Sequence, residues 1–216
     1  MSGDHHHHHG HEHDHAPIVD PEGPASEDEI LETAVRELLI EKGVLSAEDV
    51  HHQIDLMDSR NPALGAKVVA KAWTEPAFRA RLMAEPLETI EAAFGMPMSG
   101  PVELSILENT PDVHNVVVCT LCSCYPRMLL GIPPAWYKAT AYRARVVREP
   151  RRVLAEFGLE LPGSVEVRVS DSTADLRYLV IPMRPEGTEG WDEAALAELV
   201  TRDCMIGTAV PALRDR

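Results

Sequence analysis

The chain has 216 residues, of which 44% are hydrophobic and 25% charged, a composition typical of globular proteins. Its formal net charge of −15 argues against a nucleic-acid partner, because the phosphate backbone selects positively charged surfaces. No apolar run approaches the ~18 residues that span a membrane, and the N-terminus lacks an apolar signal-peptide core, so we expect a cytoplasmic protein with no membrane contact.

Residues 1–25 form a low-complexity tail that holds eight of the eleven histidines, together with acidic residues, proline and glycine. Such a composition cannot form a packed core, so we expect a disordered tail. Histidine-rich tracts bind metal, which favours a native tail that holds divalent ions loosely. An expression tag is the alternative.

A helical N-terminal arm is predicted over residues 26–100. Ser26 and Glu29 have the spacing of a capping box, and apolar residues then recur at helical spacing. A second helix is predicted from Ser46. No strand is predicted nearby in sequence, so the apolar stripe of residues 26–59 would stay exposed unless a partner subunit covers it.

From about residue 101 the pattern changes to short β-branched or alternating runs, which are typical of strands. These runs are VELSIL, HNVVVC, VEVRVS and LRYLVIP. Helices are predicted over about 140–157, where Pro150 would kink or split the helix, and over about 191–201. Residues 101–216 are therefore predicted to form an α+β domain with an antiparallel or mixed sheet.

Three of the four cysteines lie close together in the sequence VCTLCSCY, at residues 118–125. In an intracellular chain such a cluster indicates metal binding or redox chemistry rather than a disulfide framework. Cys122 and Cys124 are separated by one residue, and the short backbone between them cannot easily wrap around an ion in a tetrahedron. It can lie flat against the ion instead.

A square plane forms if the thiolates of Cys122 and Cys124 and the deprotonated amides of Ser123 and Cys124 bind one ion. The chelate rings that result are six-membered and five-membered, which suit such a plane. Cys119 can reach the underside as an axial thiolate. This five-ligand claw leaves one face open, as catalytic metal sites do, and the small Ser123 side chain could hydrogen-bond a ligand there. Thiolate and amide donors favour low-spin Co³⁺ or Fe³⁺ over zinc.

Three other interpretations of the cysteines remain open. A zinc site could recruit Cys204 as a fourth thiolate. A redox disulfide could join Cys119 and Cys122, although it leaves Cys124 unexplained. The cysteines could also be inert and buried.

Several sequences together resemble the α subunit of nitrile hydratase, from about residue 28 to 210. They are VVVCTLCSCYP, LGAKVVAKAWTEP, PAWYKATAYRARVVREPR, RPEGTEGW and LVTRDCMIG. The cysteine motif is shared with a close relative, the γ subunit of thiocyanate hydrolase. The resemblance implies a helical arm that embraces a partner subunit, followed by a layered α-β-β-α domain. Thr120 is the cobalt-type form of the motif, which implies one Co³⁺ per chain.

The resemblance also assigns roles to the claw residues. It implies that Cys119 is the axial ligand and that Cys122, Ser123 and Cys124 supply the plane. It implies sulfinate at Cys122 and sulfenate at Cys124, and metal-held thiolates are the reactive form that climbs this oxidation series. In the family, two arginines of a β-type subunit bind these oxyanions, so this chain alone would be incomplete.

Residues around the claw carry further expectations. Asp171 and Arg177 match family positions that support the metal loop, and an exposed ion pair in a turn between strands is the alternative. Arg127 stands where many cobalt-type nitrile hydratases have tryptophan. With Cys204 and the tail, it resembles the thiocyanate hydrolase branch. An arginine beside the open face would suit an anionic substrate, whereas one pointing to solvent or a partner is equally compatible with the sequence.

Three functions follow. The first, which we favour, is hydration of a nitrile to an amide by a cobalt-type nitrile hydratase. The sulfenate oxygen of Cys124, or a water that it positions, would be the nucleophile. The second is hydrolysis of thiocyanate to carbonyl sulfide and ammonia. The third is non-catalytic cobalt handling, suggested by the tail. The expected partners are a β-type subunit, whole or split into two chains, and an activator or metallochaperone.

Overall fold

The computed structural model describes residues 24–96, 102–122 and 124–213. The helices in these ranges are α1 Glu27–Glu41, α2 Ala47–Asp58, α3 Ala63–Thr74, α4 Pro76–Ala84, α5 Pro86–Phe94, α6 Arg127–Leu130, α7 Ala135–Lys138, α8 Thr140–Val146, α9 Pro150–Glu156, α10 Glu193–Ala197 and α11 Arg202–Ile206. The strands are β1 Glu103–Glu108, β2 Val113–Val118, β3 Glu166–Asp171 and β4 Leu176–Ile181. The predicted tail lies almost wholly outside the described residues, as does the boundary near residue 100. The division into tail, arm and domain therefore stays a prediction.

The first two helices begin where the sequence predicts. The Ser26 hydroxyl accepts a hydrogen bond from the Glu29 amide, and the Glu29 carboxylate accepts one from the Ser26 amide. Ser46 and Asp49 form the same reciprocal pair at α2. Each pair satisfies two amide groups that a helix N-terminus leaves without partners, so the capping boxes fix both starting points.

The helix α3 packs closely against the rest of the core, where it contacts α4, α6, α10 and α11. A Cβ atom at Gly65 would lie 2.7 Å from the Met205 sulfur and 2.9 Å from the Leu130 Cδ2 atom. It would also lie 3.0 Å from the Leu129 carbonyl oxygen, so a larger residue would displace both side chains and crowd the backbone. Glycine at 65 thus lets α3 approach α6, the helix that follows the three clustered cysteines.

The strand pairing corrects the sequence prediction of an antiparallel or mixed sheet. There are two two-stranded sheets in the described chain, β1 with β4 and β2 with β3, and both pairs are parallel. β1 and β2 are consecutive in the chain but belong to different sheets. Five of the six residues of β2 are buried, so the strand is covered on both faces, as parallel strands usually are.

The two sheets lie between helices, which gives the predicted α-β-β-α layers. β2 contacts β1 and β4 across the sheets, α4 and α5 pack on β1, and α9 packs on β3. The long helix predicted over 140–157 is split into α8 and α9, with Pro150 as the first residue of α9. Proline has no amide hydrogen and is tolerated at the first position of a helix but not inside it.

A buried polar cluster fixes β2 against α11. The His114 Nε2 atom lies 2.7 Å from the Gly207 carbonyl oxygen, and its Nδ1 atom lies 3.2 Å from the Asn109 side-chain nitrogen. Burial lowers the pKa of His114, so the ring is neutral, donating through Nε2 and accepting at Nδ1. Gly207 has φ +91°, and a Cβ atom there would overlap the Asn115 carbonyl.

No helix among the described residues is long and apolar enough to cross a membrane.

Candidate metal centre

Three cysteine sulfurs converge where β2 ends. Cys119 directly follows the strand and is fully buried, Cys124 is half-buried and Cys122 is exposed. The Cys122 sulfur lies 3.5 Å from that of Cys119 and 3.1 Å from that of Cys124. All three sulfurs lie within 4.8 Å of one another, and no disulfide joins them. The structure thus gathers the three cysteines that the sequence predicted as ligands.

The connection between β2 and α6, which carries the three cysteines, is held against Cys119 and fixed where it enters α6. At the start, the Cys122 amide donates to the Cys119 sulfur over 3.3 Å. At the exit, Tyr125 and Pro126 are buried, and Pro126 is the N-cap residue of α6. Strand and helix therefore fix the two ends, and the cysteines occupy the short connection between them.

Asp171 supports this connection from the neighbouring strand. Its carboxylate accepts hydrogen bonds from the Thr120 amide at 2.9 Å and from the Thr120 hydroxyl at 2.5 Å. The parallel register pairs Asp171 with Val118, so the carboxyl ends of β2 and β3 meet at one edge. Asp171 does not form the exposed ion pair with Arg177 that was the alternative; it holds the residue next to Cys119.

Two residues that sequence reasoning missed hold the same segment from the helical side. The Tyr137 hydroxyl donates to the Cys124 carbonyl oxygen at 2.9 Å. The Arg143 Nη1 atom donates to the Thr120 carbonyl oxygen at 3.2 Å. A buried tyrosine is expected to find a hydrogen-bond partner, but the sequence does not identify which carbonyl lies within its reach.

The electrostatic environment of the sulfurs is set by burial and by one nearby cation. The pKa of Cys124 is raised to about 12, mainly by burial and also by hydrogen bonds with Cys122 and Cys119, whereas the positive charge of Arg177 acts in the opposite direction. Without a metal ion the raised pKa favours the thiol form of Cys124, whereas a bound metal ion would stabilise its thiolate. Burial also raises the pKa of Tyr137 far above its ordinary value, so its hydroxyl remains a donor.

The other predicted residues lie in different surroundings. Arg127 begins α6 and is exposed, and within the described chain no hydrogen bond or ion pair holds its guanidinium. Ser123 lies outside the described residues. Cys204 is buried in α11, where its amide and sulfur contact the Thr201 hydroxyl. It is not part of the sulfur cluster, so the geometry does not support a four-thiolate zinc site.

The donor set fits a metal that prefers sulfur. The cluster offers three thiols, and in the described part of the chain no carboxylate or imidazole joins them. Soft thiolate ligands select for thiophilic metals over magnesium or calcium. Leu121, between the ligands, is 84% exposed, so the cluster opens onto the surface of the chain.

Comparisons with known proteins agree with this arrangement. Residues 26–209 match the family described as nitrile hydratase, alpha chain. The γ subunit of thiocyanate hydrolase from Thiobacillus thioparus is 51% identical, covering 98% of this chain and 90% of its own. The α subunit of a low-molecular-weight cobalt-containing nitrile hydratase from Rhodococcus rhodochrous is 49% identical, covering 87% and 92%.

A solved structure supports the same assignment at the level of the fold. Recombinant thiocyanate hydrolase with partially modified cobalt centres superposes with a TM-score of 0.80 at 49% identity, covering 87% of this chain and 91% of that one. The similarity therefore includes both the helical N-terminal segment and the layered domain. The chain belongs to the nitrile hydratase alpha-chain family.

Proposed function

We propose that this chain is the metal-binding catalytic subunit of a cobalt-type nitrile hydratase, which hydrates a nitrile to the corresponding amide. The observation that carries the proposal is the convergence of the three cysteine sulfurs within 4.8 Å at the end of β2. An all-thiol cluster at the mouth of a surface site suits a catalytic ion better than a structural one, because structural sites are usually closed.

Cobalt is the proposed ion, one Co³⁺ per chain. Thr120 matches the cobalt-type motif, and two of the similar proteins are described as cobalt proteins. Bound at the claw, Co³⁺ would supply Lewis acidity toward the nitrile nitrogen. Cys119, Cys122 and Cys124 would hold it, with the backbone amides of Ser123 and Cys124 as further ligands.

The chain's own residues would then prepare the nucleophile. Cys122 as sulfinate and Cys124 as sulfenate would carry oxygen atoms, and the Cys124 oxygen, or a water held by it, would attack the nitrile carbon. In the first route the Cys124 oxygen passes to the amide and a water restores the sulfenate; in the second the water itself supplies the amide oxygen. Asp171 would hold the backbone next to Cys119 through its hydrogen bonds with Thr120. Arg177 would offset part of the negative charge on Cys124. Ser123 would hydrogen-bond the bound substrate.

A β-type subunit is the proposed partner. The two oxidised sulfurs need cations, and the positive charge of Arg177 alone cannot flank both. The apolar stripe of α1 also lacks a cover within the described chain, since α1 has no buried residue. A partner that supplies arginines to the claw and an apolar surface to α1 would complete both. An activator or metallochaperone would load the ion.

Thiocyanate hydrolysis is the second candidate function, and Arg127 favours it. Its exposed guanidinium is held by no described side chain and is therefore available to an anionic substrate. The similarity to the thiocyanate hydrolase γ subunit also extends over 98% of this chain. Both reactions add oxygen to a carbon that is triply bonded to nitrogen, so one claw could serve either.

One assay distinguishes the candidates. The cobalt-loaded complex with its partner subunits is given a small nitrile or thiocyanate, and amide, carbonyl sulfide and ammonia are measured. Amide formation supports nitrile hydration, whereas carbonyl sulfide and ammonia support the second candidate. Cobalt binding without turnover of either substrate would indicate a non-catalytic cobalt-handling protein. The Arg127→Gln variant should reduce thiocyanate turnover selectively if Arg127 binds the anion.

A further inference from the structure

Two backbone carbonyls of the segment 119–124 are held by side chains from the helices that follow it. Tyr137, on α7, donates its hydroxyl hydrogen to the Cys124 carbonyl at 2.9 Å. Arg143, on α8, donates from Nη1 to the Thr120 carbonyl at 3.2 Å. Neither side chain touches a sulfur in these bonds. Both act on the backbone that carries the sulfurs.

The position of the Tyr137 hydroxyl is fixed by a cluster of aromatic rings. Tyr137 is fully buried, and its ring centroid lies 5.2 Å from that of Tyr125 and 5.9 Å from that of Trp136. Trp136 in turn packs edge-on against Phe157 at 4.7 Å. Rings packed at these distances restrict rotation of their neighbours. The hydroxyl therefore presents its hydrogen to the Cys124 carbonyl from a rigid base.

The guanidinium of Arg143 is also oriented before it reaches the segment. Its Nε atom donates to the Lys138 carbonyl at 3.0 Å, and its Nη2 atom donates to the Thr140 hydroxyl at 3.3 Å. Because the guanidinium is planar, fixing two of its nitrogen atoms also fixes the direction of the third, Nη1. Thr120 is thereby held by Arg143 at its carbonyl and by Asp171 at its amide and hydroxyl.

These bonds matter because a coplanar set of ligands depends on backbone torsions. A carbonyl held in place fixes the rotation about the Cα–C bond of its residue. At Cys124 this rotation sets the direction in which the chain leaves the cluster, and at Thr120 it sets the direction in which the chain enters. Sites that must hold ligands within about 0.5 Å need supporting hydrogen bonds of this kind.

We propose that Tyr137 and Arg143 are positioning residues of the metal centre, a carbonyl clamp that fixes the backbone at Thr120 and Cys124, on either side of the cysteine cluster, so that the sulfurs can bind the ion. The inference rests on the proposed cobalt site. It assigns no chemical step to either residue; without the clamp, the cysteines would remain but would hold the ion less firmly.

The test compares Tyr137→Phe with Tyr142→Phe in the cobalt-loaded complex. The Tyr142 hydroxyl donates to the Val117 carbonyl at 2.8 Å, within β2 and before the cysteines. Both variants keep an aromatic ring in the same cluster and lose one hydrogen bond to a backbone carbonyl, which is partly buried for Tyr137 and buried for Tyr142, so Tyr142→Phe should lower the melting temperature at least as much. Only Tyr137→Phe should lose cobalt to a chelator, with retention reduced about 10–100-fold, the range for supporting hydrogen bonds at metal sites.

A second readout is the absorption band that arises from charge transfer between the thiolates and cobalt. Tyr137→Phe should shift this band because the geometry at Cys124 relaxes, whereas Tyr142→Phe should leave it unchanged. If Tyr137→Phe keeps both cobalt retention and the band at wild-type values, the inference about Tyr137 is wrong. Equal cobalt loss in Tyr142→Phe would also overturn it, because general destabilisation would then be sufficient.

Arg143→Gln is the independent arm, and it decides the proposal if Tyr137→Phe does not fold. Arg143 is only half-buried, so its substitution should leave the fold intact. Arg148→Gln removes the same charge from an exposed position just after α8 and serves as the control. We expect cobalt loss in Arg143→Gln and none in Arg148→Gln; wild-type retention in Arg143→Gln would refute the clamp. Failure of the wild-type complex to bind cobalt would instead refute the proposed function.

Discussion

The helix α1 and the strand β2 have equally clear apolar patterns but opposite fates in the folded chain. On α1, Ile30 is 60% exposed and Leu31 is 62% exposed, and no residue of the helix is buried. On β2, Val116 and Val118 are fully buried. The capping box specifies α1 locally, whereas β2 depends on layers supplied by the rest of the chain. An apolar pattern therefore predicts a helix or a strand, but it does not show whether the same chain or a partner subunit covers the apolar face.

The claw segment lies between these two cases. Cys119 takes part in the buried core, Leu121 is almost fully exposed, and Cys124 is intermediate. This chain supplies the sulfurs and fixes the backbone that carries them. The cations that cysteine oxyanions would need under the proposed function, and the outer wall of the site, would come from a partner subunit. The comparison predicts that changes at the claw affect the metal and that changes on α1 affect only assembly.

The largest effect is expected at the cysteines. Cys119→Ala should abolish cobalt retention, because the only buried thiol of the cluster is lost and the remaining two are partly open to solvent. Cobalt per chain, measured by elemental analysis of the purified complex, checks this. Cys204→Ala is the matched control, since Cys204 is equally buried but lies in α11. Equal cobalt loss in both variants would contradict the three-thiol site.

Substitutions on α1 should have the next largest effect, but on assembly alone. A Leu side chain that becomes fully buried contributes about 1.5–3 kcal/mol, so Leu31→Ser with Leu38→Ser should weaken binding of the partner subunit roughly 100-fold or more. The melting temperature of the isolated chain should hardly change, because both side chains are already exposed in it. Sedimentation of the mixed subunits measures the first quantity.

Glu32→Ser is the control on the same helix. It removes an exposed ion pair with Arg36, whose contribution to stability is below about 1 kcal/mol. We expect this variant to assemble normally. If the double leucine variant also assembles with wild-type affinity, α1 is not an interface, and the contrast with β2 has another origin.

The sequence was sufficient to predict most helices and strands and the cysteine cluster, but not how the strands pair into sheets. The spacing of the cysteines predicted their convergence because the cluster forms within one short segment. The strand pairing could not be predicted in this way. β1 and β2 are joined by residues 109–112 and would normally form a hairpin, yet the chain passes from one sheet to the other there. Which strands pair is decided by the layers of helices that cover them.

The residues that hold the claw show the same limit. Asp171 was predicted by resemblance, and the parallel register of β2 and β3 brings it to Thr120. Tyr137 and Arg143 were not predicted. Their hydrogen bonds to backbone carbonyls depend on how α7 and α8 pack beside β2. Every residue has a backbone carbonyl, so the sequence does not show which one accepts a hydrogen bond.

An intermediate effect is expected at Asp171. Asp171→Asn removes the charge that attracts the Thr120 amide and hydroxyl, so cobalt retention should fall about 10-fold, the lower end of the range for such supporting groups. The unfolding free energy should change by less than about 1 kcal/mol, because Asp171 is exposed. Asp175→Asn, in the turn before β4, is the control. Equal cobalt retention in the two variants would contradict a specific role for Asp171.

A smaller effect is expected from pH, and it arises in the core rather than in the arm. Burial lowers the pKa of His114 from its ordinary value of 6.5, so the unfolded chain takes up this proton before the folded chain does. His114 therefore contributes stability that is fully present above about pH 6.5 and is lost as the pH falls toward the folded pKa. Thermal unfolding at pH 7 and pH 5 should show lower stability at pH 5. The difference should shrink in His114→Gln, and an unchanged difference would contradict this assignment.

The smallest effect is expected from the tail. Residues 1–25 carry eight histidines but no cysteine, whereas the proposed claw would use thiolates, so the tail does not supply the proposed ligands. Imidazole groups bind divalent cobalt readily, and a tail that collects such ions would affect loading rather than turnover. Deleting residues 1–25 should leave turnover per cobalt unchanged in preloaded complex, and slow cobalt incorporation at most. Incorporation is followed at limiting cobalt, with a variant in which the eight histidines are replaced by serine as the control for length. A large fall in turnover of fully loaded deletion variant would place the tail at the catalytic site.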